Sequence, residues 1–250
     1  MMSSEFWLND RQWSAIELLL PRNQPGARRV DDRRVISGIV QVLKVGCRWE
    51  DCPAVYGPST TVYNRFNRWS RRGLWQRLFD ALVTTDATDT RIIDSTTAKA
   101  HRSAGGGKGG LGAGDRSLAR RPDDEDPRRR RLPRQTVAFE ITPGLLGDVR
   151  VAGPLLAPMP VARLCIADTA YDSNGLRQFL SERGTQPVIP NNPTCKRFHP
   201  FDPDIYKQRN LIERMFCRLK DWCRIATRYD KLAANFAAAI AIATIVLWWT

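Results

Sequence analysis

The chain has 250 residues, 42% of them hydrophobic, enough for one sizeable core or for a small domain beside a medium one, and the second arrangement is expected. Its 39 Lys+Arg against 26 Asp+Glu give a net charge of +13, which attracts polyanions at long range. Nucleic acid is therefore the first partner to consider, although a merely soluble basic protein carries the same excess.

Residues 5 to about 84 carry amphipathic helical patterns. Asp10 is placed to cap a helix bearing Trp13, Ile16, Leu19 and Leu20, and Pro21 to Pro25 interrupt it. A second helix begins near Asp31, repeats Val35, Ile36, Ile39, Val40 and Leu43 at helical spacing, and stops at Gly46. Ser59 is expected to cap a third, with Val62, Phe66 and Trp69 inside and Arg65, Arg68, Arg71 and Arg72 outside. A fourth runs from Leu74 to Leu82. Short helices with a basic last member resemble a helix-turn-helix, in which Arg65 and Arg68 would meet DNA; a helical bundle with a solvated basic face reads the same way.

Beyond residue 88 the period changes. Arg91–Asp94, Val137–Ile141, Leu164–Asp168 and Pro187–Ile189 are β-like runs separated by helical stretches, so the fold class is mixed α/β. Residues 103–135 are Gly-rich and then dense in Arg, Asp and Pro, with too little apolar surface to offset ordering, and are expected to be disordered. Leu232 to Trp249 is apolar except for Asn235 and Thr244; a core helix closing the domain fits better than a membrane span, since no other segment is membrane-like. Six scattered cysteines and no secretory signal point to a reducing cytosol. Neither Cys195 with His199 nor Cys47 with Cys52 has a second pair at zinc spacing.

The chemistry is concentrated in carboxylates. Ile92-Ile93-Asp94 and Cys165-Ile166-Ala167-Asp168 each lead an apolar run into an Asp, and a carboxylate at a strand end sits on a rigid scaffold. Hard cations such as Mg²⁺ need oxygen ligands with positions left open for phosphate and water. Taken as one helix, Tyr206–Lys220 puts Tyr206, Arg209, Glu213 and Lys220 on one face, opposite Leu211, Ile212, Met215, Leu219 and Trp222. An ordinary Arg-Glu pair on a solvated face accounts for part of this pattern.

Tyr206-x2-Arg209-x3-Glu213-x6-Lys220 resembles the Y-R-E-K signature of transposases of insertion sequence five and its relatives. Ile93-Asp94-Ser95-Thr96, Ile166-Ala167-Asp168 with Tyr171-Asp172-Ser173, and Asn210–Arg214 through Arg228–Leu232 resemble that family's catalytic blocks in order. So do Gly46-Cys47-Arg48-Trp49 and Thr61–Phe66 in its helical domain. The resemblance implies a helical DNA-binding domain at 1–86 and a ribonuclease-H-like (retroviral-integrase-like) catalytic domain at 87–250. Asp94, Asp168 and Glu213 would then be catalytic and hold two Mg²⁺ or Mn²⁺ ions. Arg209 and Lys220 would hold end phosphates, and Tyr206 would stack on or bond to DNA. The expected partners are inverted-repeat ends, target DNA and further copies of the chain, in a bacterial cytoplasm at the nucleoid, with no membrane.

The sequence departs from the family after the Gly-rich stretch. Relatives continue into a strand reading approximately Gly-Arg-Ser-Arg-Gly-Gly-Arg-Thr-Thr-Lys-Ile-His, whereas this chain carries Arg120-Arg121-Pro122-Asp123-Asp124-Glu125-Asp126-Pro127-Arg128. Suitable synonymous codons for that run, read from the second base, encode Gly-Gly-Arg-Thr-Thr-Lys-Ile-His. One frame change near Leu111 and a return near Gln135 would explain it, and a charged insertion is the other explanation. Either way the second strand is expected to be missing, with activity reduced or lost. The alternative function is a non-catalytic DNA-binding remnant or repressor; a ribonuclease-H-like nuclease of general substrates is a third.

Overall fold

A computed structural model of the protein describes residues 5–21, 31–83, 90–104, 115–120, 136–142, 147–194 and 197–249. Two compact units emerge: Met1–Val83 with Lys99–Gly110 and Leu219–Thr250, and Thr84–Ala98 with Leu111–Arg218. The C-terminal segment, expected with the catalytic half, therefore belongs with the N-terminal helices.

The first unit is helical. Helix α1 (Asp10–Glu17) is capped by Asn9 rather than Asp10: the Asn9 side chain accepts from the Gln12 amide at 2.8 Å, and Gln12 returns a bond to the Asn9 amide at 3.1 Å, a capping box. Helix α2 (Asp32–Val45) starts at Asp31, whose carboxylate accepts from the Arg33 amide, and ends at Gly46 in the left-handed region with φ 84°. A side chain at Gly46 would also meet the Cys223 Cβ at 2.5 Å, so both backbone and space demand glycine there. Helix α3 (Ser59–Arg71) takes Ser59 as its first residue, with Pro58 at the cap position and no side-chain capping bond. Helix α4 (Leu74–Leu82) matches its expected bounds.

Val62, Phe66 and Trp69 are buried as expected, but Arg65 is buried too. Positions 62, 65, 66 and 69 follow the i, i+3, i+4, i+7 stripe of one helical face, so residue 65 must turn inward with its neighbours. Its guanidinium pairs with the Asp32 carboxylate and lies 4.9 Å over the Trp69 ring. This corrects the expectation that Arg65 faces solvent to meet DNA; Arg68, Arg71 and Arg72 are exposed.

The second unit is built on a five-stranded sheet. Strand β1 (Thr90–Thr97) is followed by the two-residue β2 (Lys99–Ala100), which belongs to the first unit. Strands β3 (Asp115–Arg120) and β4 (Thr136–Ile141) then precede helix α5 (Asp148–Leu156). Strand β5 (Leu164–Ile166), helix α6 (Asn174–Glu182) and strand β6 (Gln186–Val188) complete the alternation. The spatial order is β4-β3-β1-β5-β6, antiparallel from β4 to β1 and parallel from β1 to β6. The expected missing strand is thus present: β3 lies between β1 and β4, with Leu118 opposite Asp94 and Phe139. A ladder is made of backbone N–H and C=O groups, which an atypical sequence supplies as well as a typical one, and two open strand edges favour filling the gap. Part of the stretch expected to be disordered is therefore ordered, at residues 103–104 and in β3; residues 105–114 and 121–135 lie outside the described residues.

Tyr206–Lys220 is not one helix. The short α7 (Pro203–Tyr206) gives way to a 3₁₀ turn at Lys207–Arg209, and α8 (Asn210–Lys220) follows. In the first unit α9 (Cys223–Ala226) and β7 (Thr227–Arg228) come next, β7 pairing with β2. Helix α10 (Ala233–Thr244) packs on α2, α3 and α4 and continues as a π turn over Ile245–Trp249. Apolar on nearly every side, α10 is buried at Asn235, Phe236 and from Ala238 to Thr244, as a core helix must be. No helix among the described residues is long and apolar enough to cross a membrane.

The Arg65–Asp32 pair leads to a first prediction. Arg65→Ala strips a buried carboxylate of its guanidinium and should cost about 3 kcal/mol of unfolding free energy in urea titrations, whereas the exposed Arg68→Ala should cost less than about 0.5 kcal/mol. Equal midpoints for the two variants would contradict the burial of the pair.

Candidate active site

Strands β1 and β5 run in parallel with Ile92 opposite Ile166. Two residues further along stand Asp94, still within β1, and Asp168, just beyond the end of β5, so two neighbouring parallel strands lead into the two aspartates. Ile92, Ile93, Cys165, Ile166 and Ala167 are buried beneath them. Asp168 also caps the 3₁₀ turn Thr169–Tyr171, accepting from the Ala170 amide at 2.9 Å.

Glu213 comes from the first turn of α8, and what joins the three carboxylates is Arg209, at the end of the preceding 3₁₀ turn. Its Nη2 donates to Asp94 Oδ2 at 2.8 Å and lies 3.7 Å from Asp168 Oδ2, while Nη1 donates to Glu213 Oε1 at 2.5 Å. The side chains grade from Asp94, 6% exposed, through Asp168, 28%, to Glu213, 53%, so the cluster opens to solvent on the Glu213 side.

Burial pushes the Asp94 carboxyl up to about 6, against the opposing pull of Arg209 and of the Ser95 amide, which donates to Oδ1 at 2.9 Å. For Arg209, burial works against the charge, yet Asp94, Tyr206, Glu213 and Asp168 together hold the guanidinium above its usual range. Tyr206 is raised first by burial, then by Asp168, Asp94 and Glu213, with Arg209 opposing. The phenol thus faces the same charges as Arg209 despite the broken helix. Phe201 meets its ring edge-on at 5.9 Å.

The structure brings together Asp94, Asp168, Glu213, Arg209 and Tyr206. Lys220, exposed at the end of α8, falls in the first unit, as does Arg68. Two supports went unread in the sequence. Ser95 Oγ donates to Asp148 Oδ2 at 2.7 Å, tying the chain after Asp94 to the start of α5. Asp172 accepts from Arg177 Nε at 2.8 Å and from the Asn192 amide at 2.7 Å, which pins the loop after β5 to the loop after β6. The Asp172–Arg177 spacing is visible in the sequence, but the fold alone brings Asn192 and Asp148 to their partners.

The donor set suits a hard divalent ion: oxygen ligands only, three carboxylates against one cation, and one open side. Among the described residues, however, no three His, Cys, Asp or Glu side chains surround a common point closely enough to hold an ion as they stand. Arg209 lies between them. Cys195, considered above with His199, lies outside the described residues.

The Asp94 shift makes a measurable prediction for the metal-free protein. A carboxyl whose folded pKa lies above its unfolded value of about 4 contributes stability below that pH and loses the contribution as pH rises through about 6. The Asp94 carboxyl carbon should titrate by NMR with a midpoint near 6. Arg209→Ala, removing the main opposing charge, should move that midpoint upward; a downward move would refute the assigned balance.

Residues 8–79 match the family model described as "Putative transposase of IS4/5 family", and residues 132–248 match "Transposase DDE domain". The chain is 36% identical over 108 residues to "Putative transposase for insertion sequence element IS6501" of Brucella ovis, an alignment spanning 43% of this chain and 83% of that protein. It is 37% identical over 84 residues to "Insertion element IS402 uncharacterized 16.2 kDa protein" of Burkholderia cepacia, over 30% of this chain and 57% of that protein. A third similarity, 29% over 103 residues, is to "Uncharacterized protein y4sN" of Sinorhizobium fredii, over 40% of this chain and 82% of that protein. With two family models along its length and a transposase relative matched over most of its own, the chain belongs to the IS4/5 family of insertion-sequence transposases, of the DDE class.

Proposed function

We propose that the protein binds the terminal inverted repeats of its own insertion sequence and catalyses divalent-metal-dependent cleavage and strand transfer of DNA, with Asp94, Asp168 and Glu213 as the metal-holding catalytic residues. The observation that carries this reading is the convergence of the three carboxylates: one within β1, one just past the end of the adjacent parallel β5 and one on a helix, all within reach of a single guanidinium. The sheet order β4-β3-β1-β5-β6, three antiparallel strands followed by two parallel ones, supports the ribonuclease-H-like assignment.

Two divalent ions, when bound, would supply an activated water or 3′-hydroxyl and stabilise the leaving oxygen of the phosphodiester. The chain's own contribution is placement. Asp94 is fixed by its strand and by the Ser95 amide, Asp168 by its capping bond, and Glu213 enters from the open side. Tyr206 stacks on or hydrogen-bonds to DNA beside the carboxylates, and Arg209 and Lys220 hold end phosphates. In the helical unit α2 and α3 form the DNA-binding module, in which Arg68 contributes to phosphate contact. The working form is a homo-oligomer assembled on DNA.

The stretch matched by neither family model, residues 80–131, contains the segment whose shifted frame restores the relatives' motif, which supports the frame change. Because β3 stands beside Asp94, that change does not by itself leave a gap in the sheet.

The test uses a supercoiled plasmid carrying the sequences that flank the encoding locus. In Mn²⁺ the chain should nick or cut at the repeat ends, and Asp168→Asn should lower that rate by about 10³-fold or more while leaving end binding in place. Repeat binding with no cleavage by the parent chain would favour the non-catalytic remnant, and equal cutting of DNA without the repeats would favour a general nuclease.

A further inference from the structure

Three carboxylates at one place repel one another, and a buried one is costly to ionise, so the metal-free cluster needs a cation. Arg209 supplies it with both terminal nitrogens, Nη2 toward Asp94 and Asp168 and Nη1 toward Glu213. A magnesium ion sits about 2.1 Å from its oxygen ligands and needs them on its own side. The oxygens it would take, Asp94 Oδ2 and Glu213 Oε1, are those already occupied by Arg209. Two cations drawn to the same oxygens at such range repel strongly.

We infer that the Arg209 guanidinium and a divalent ion are alternative occupants of the same three carboxylates, so that loading the ion requires this side chain to swing away from Asp94. The inference rests on the reading of the three carboxylates as an ion site. Three local features make the exchange feasible. The guanidinium is held through its two Nη atoms, while its buried Nε has no hydrogen-bond partner among the described residues, so departure breaks no third bond. Arg209 ends the 3₁₀ turn between α7 and α8, where the regular α-helical bonding is interrupted. The cluster is open toward Glu213, which gives a long side chain somewhere to go.

Arg209 therefore acts as a positioning residue with two effects. It keeps the carboxylates gathered before the ion arrives, and it raises the ion concentration needed to fill the site. Once displaced it is a free cation beside the catalytic carboxylates, available to a DNA phosphate, so phosphate and ion should each favour binding of the other through this one side chain.

The experiment is a Mn²⁺ titration of the full chain without DNA, read by the EPR signal of free Mn²⁺ and by calorimetry. Arg209→Gln should bind Mn²⁺ about tenfold or more tightly than the parent, and Arg209→Lys, which keeps a charge but loses the two-pronged geometry, should fall between them. In EDTA, Arg209→Gln should also melt below the parent, with added Mn²⁺ closing the gap. Unchanged or weaker Mn²⁺ binding by Arg209→Gln, together with loss of binding in Asp168→Asn, would overturn the exchange while leaving the carboxylates as an ion site. Absence of Mn²⁺ binding in every form, or binding unaffected by Asp168→Asn, would overturn both.

Discussion

Like-charge repulsion is the constraint around which the catalytic unit is arranged. Asp94, Asp168 and Glu213 can share a site only if rigid elements force them together and a cation offsets the cost. The parallel β1–β5 pairing provides the force: it brings Asp94, within β1, near Asp168, just past the end of β5, above buried Ile92, Ile166 and Ala167. Arg209 provides the offset. Burial is the main force raising the Asp94 carboxyl, with the Asp168 charge adding to it and Arg209 opposing both.

The same balance appears in the helical unit with the opposite consequence. Arg65 and Asp32 are both buried, and Trp69 covers the guanidinium. Both side chains of this pair are only 10% exposed, so the charge serves to hold α2 against α3. An arginine is therefore no guide to a DNA surface until its burial is known; Arg68, three residues on in the same helix, is exposed.

A strand's ladder is made of backbone groups, so partners on both sides can order a segment whose own β-preference is weak. Strand β3 illustrates this: Asp115-Arg116-Ser117-Leu118-Ala119-Arg120 has little β-preference of its own, yet it pairs on both sides. Sequence preference argued for a gap there; the unpaired edges of β1 and β4 outweighed it.

By itself, the sequence determined what depends on local periodicity and on residue type. It specified the α2 and α4 boundaries through helical spacing, the four strands and the buried character of α10 through apolar runs, and the candidate carboxylates with Tyr206 and Arg209 through residue type and the resemblance of their motifs. Tertiary structure decided what depends on distant partners. It paired Arg65 with Asp32, returned α10 to the N-terminal helices, supplied β3, broke the Tyr206–Lys220 helix with a 3₁₀ turn, and set Arg209 on the carboxylates. The pairings depend on whatever group the fold brings near, Asp32 to Arg65 across 33 residues and Asp94 to Arg209 across 115, and sequence spacing is silent about such distant groups.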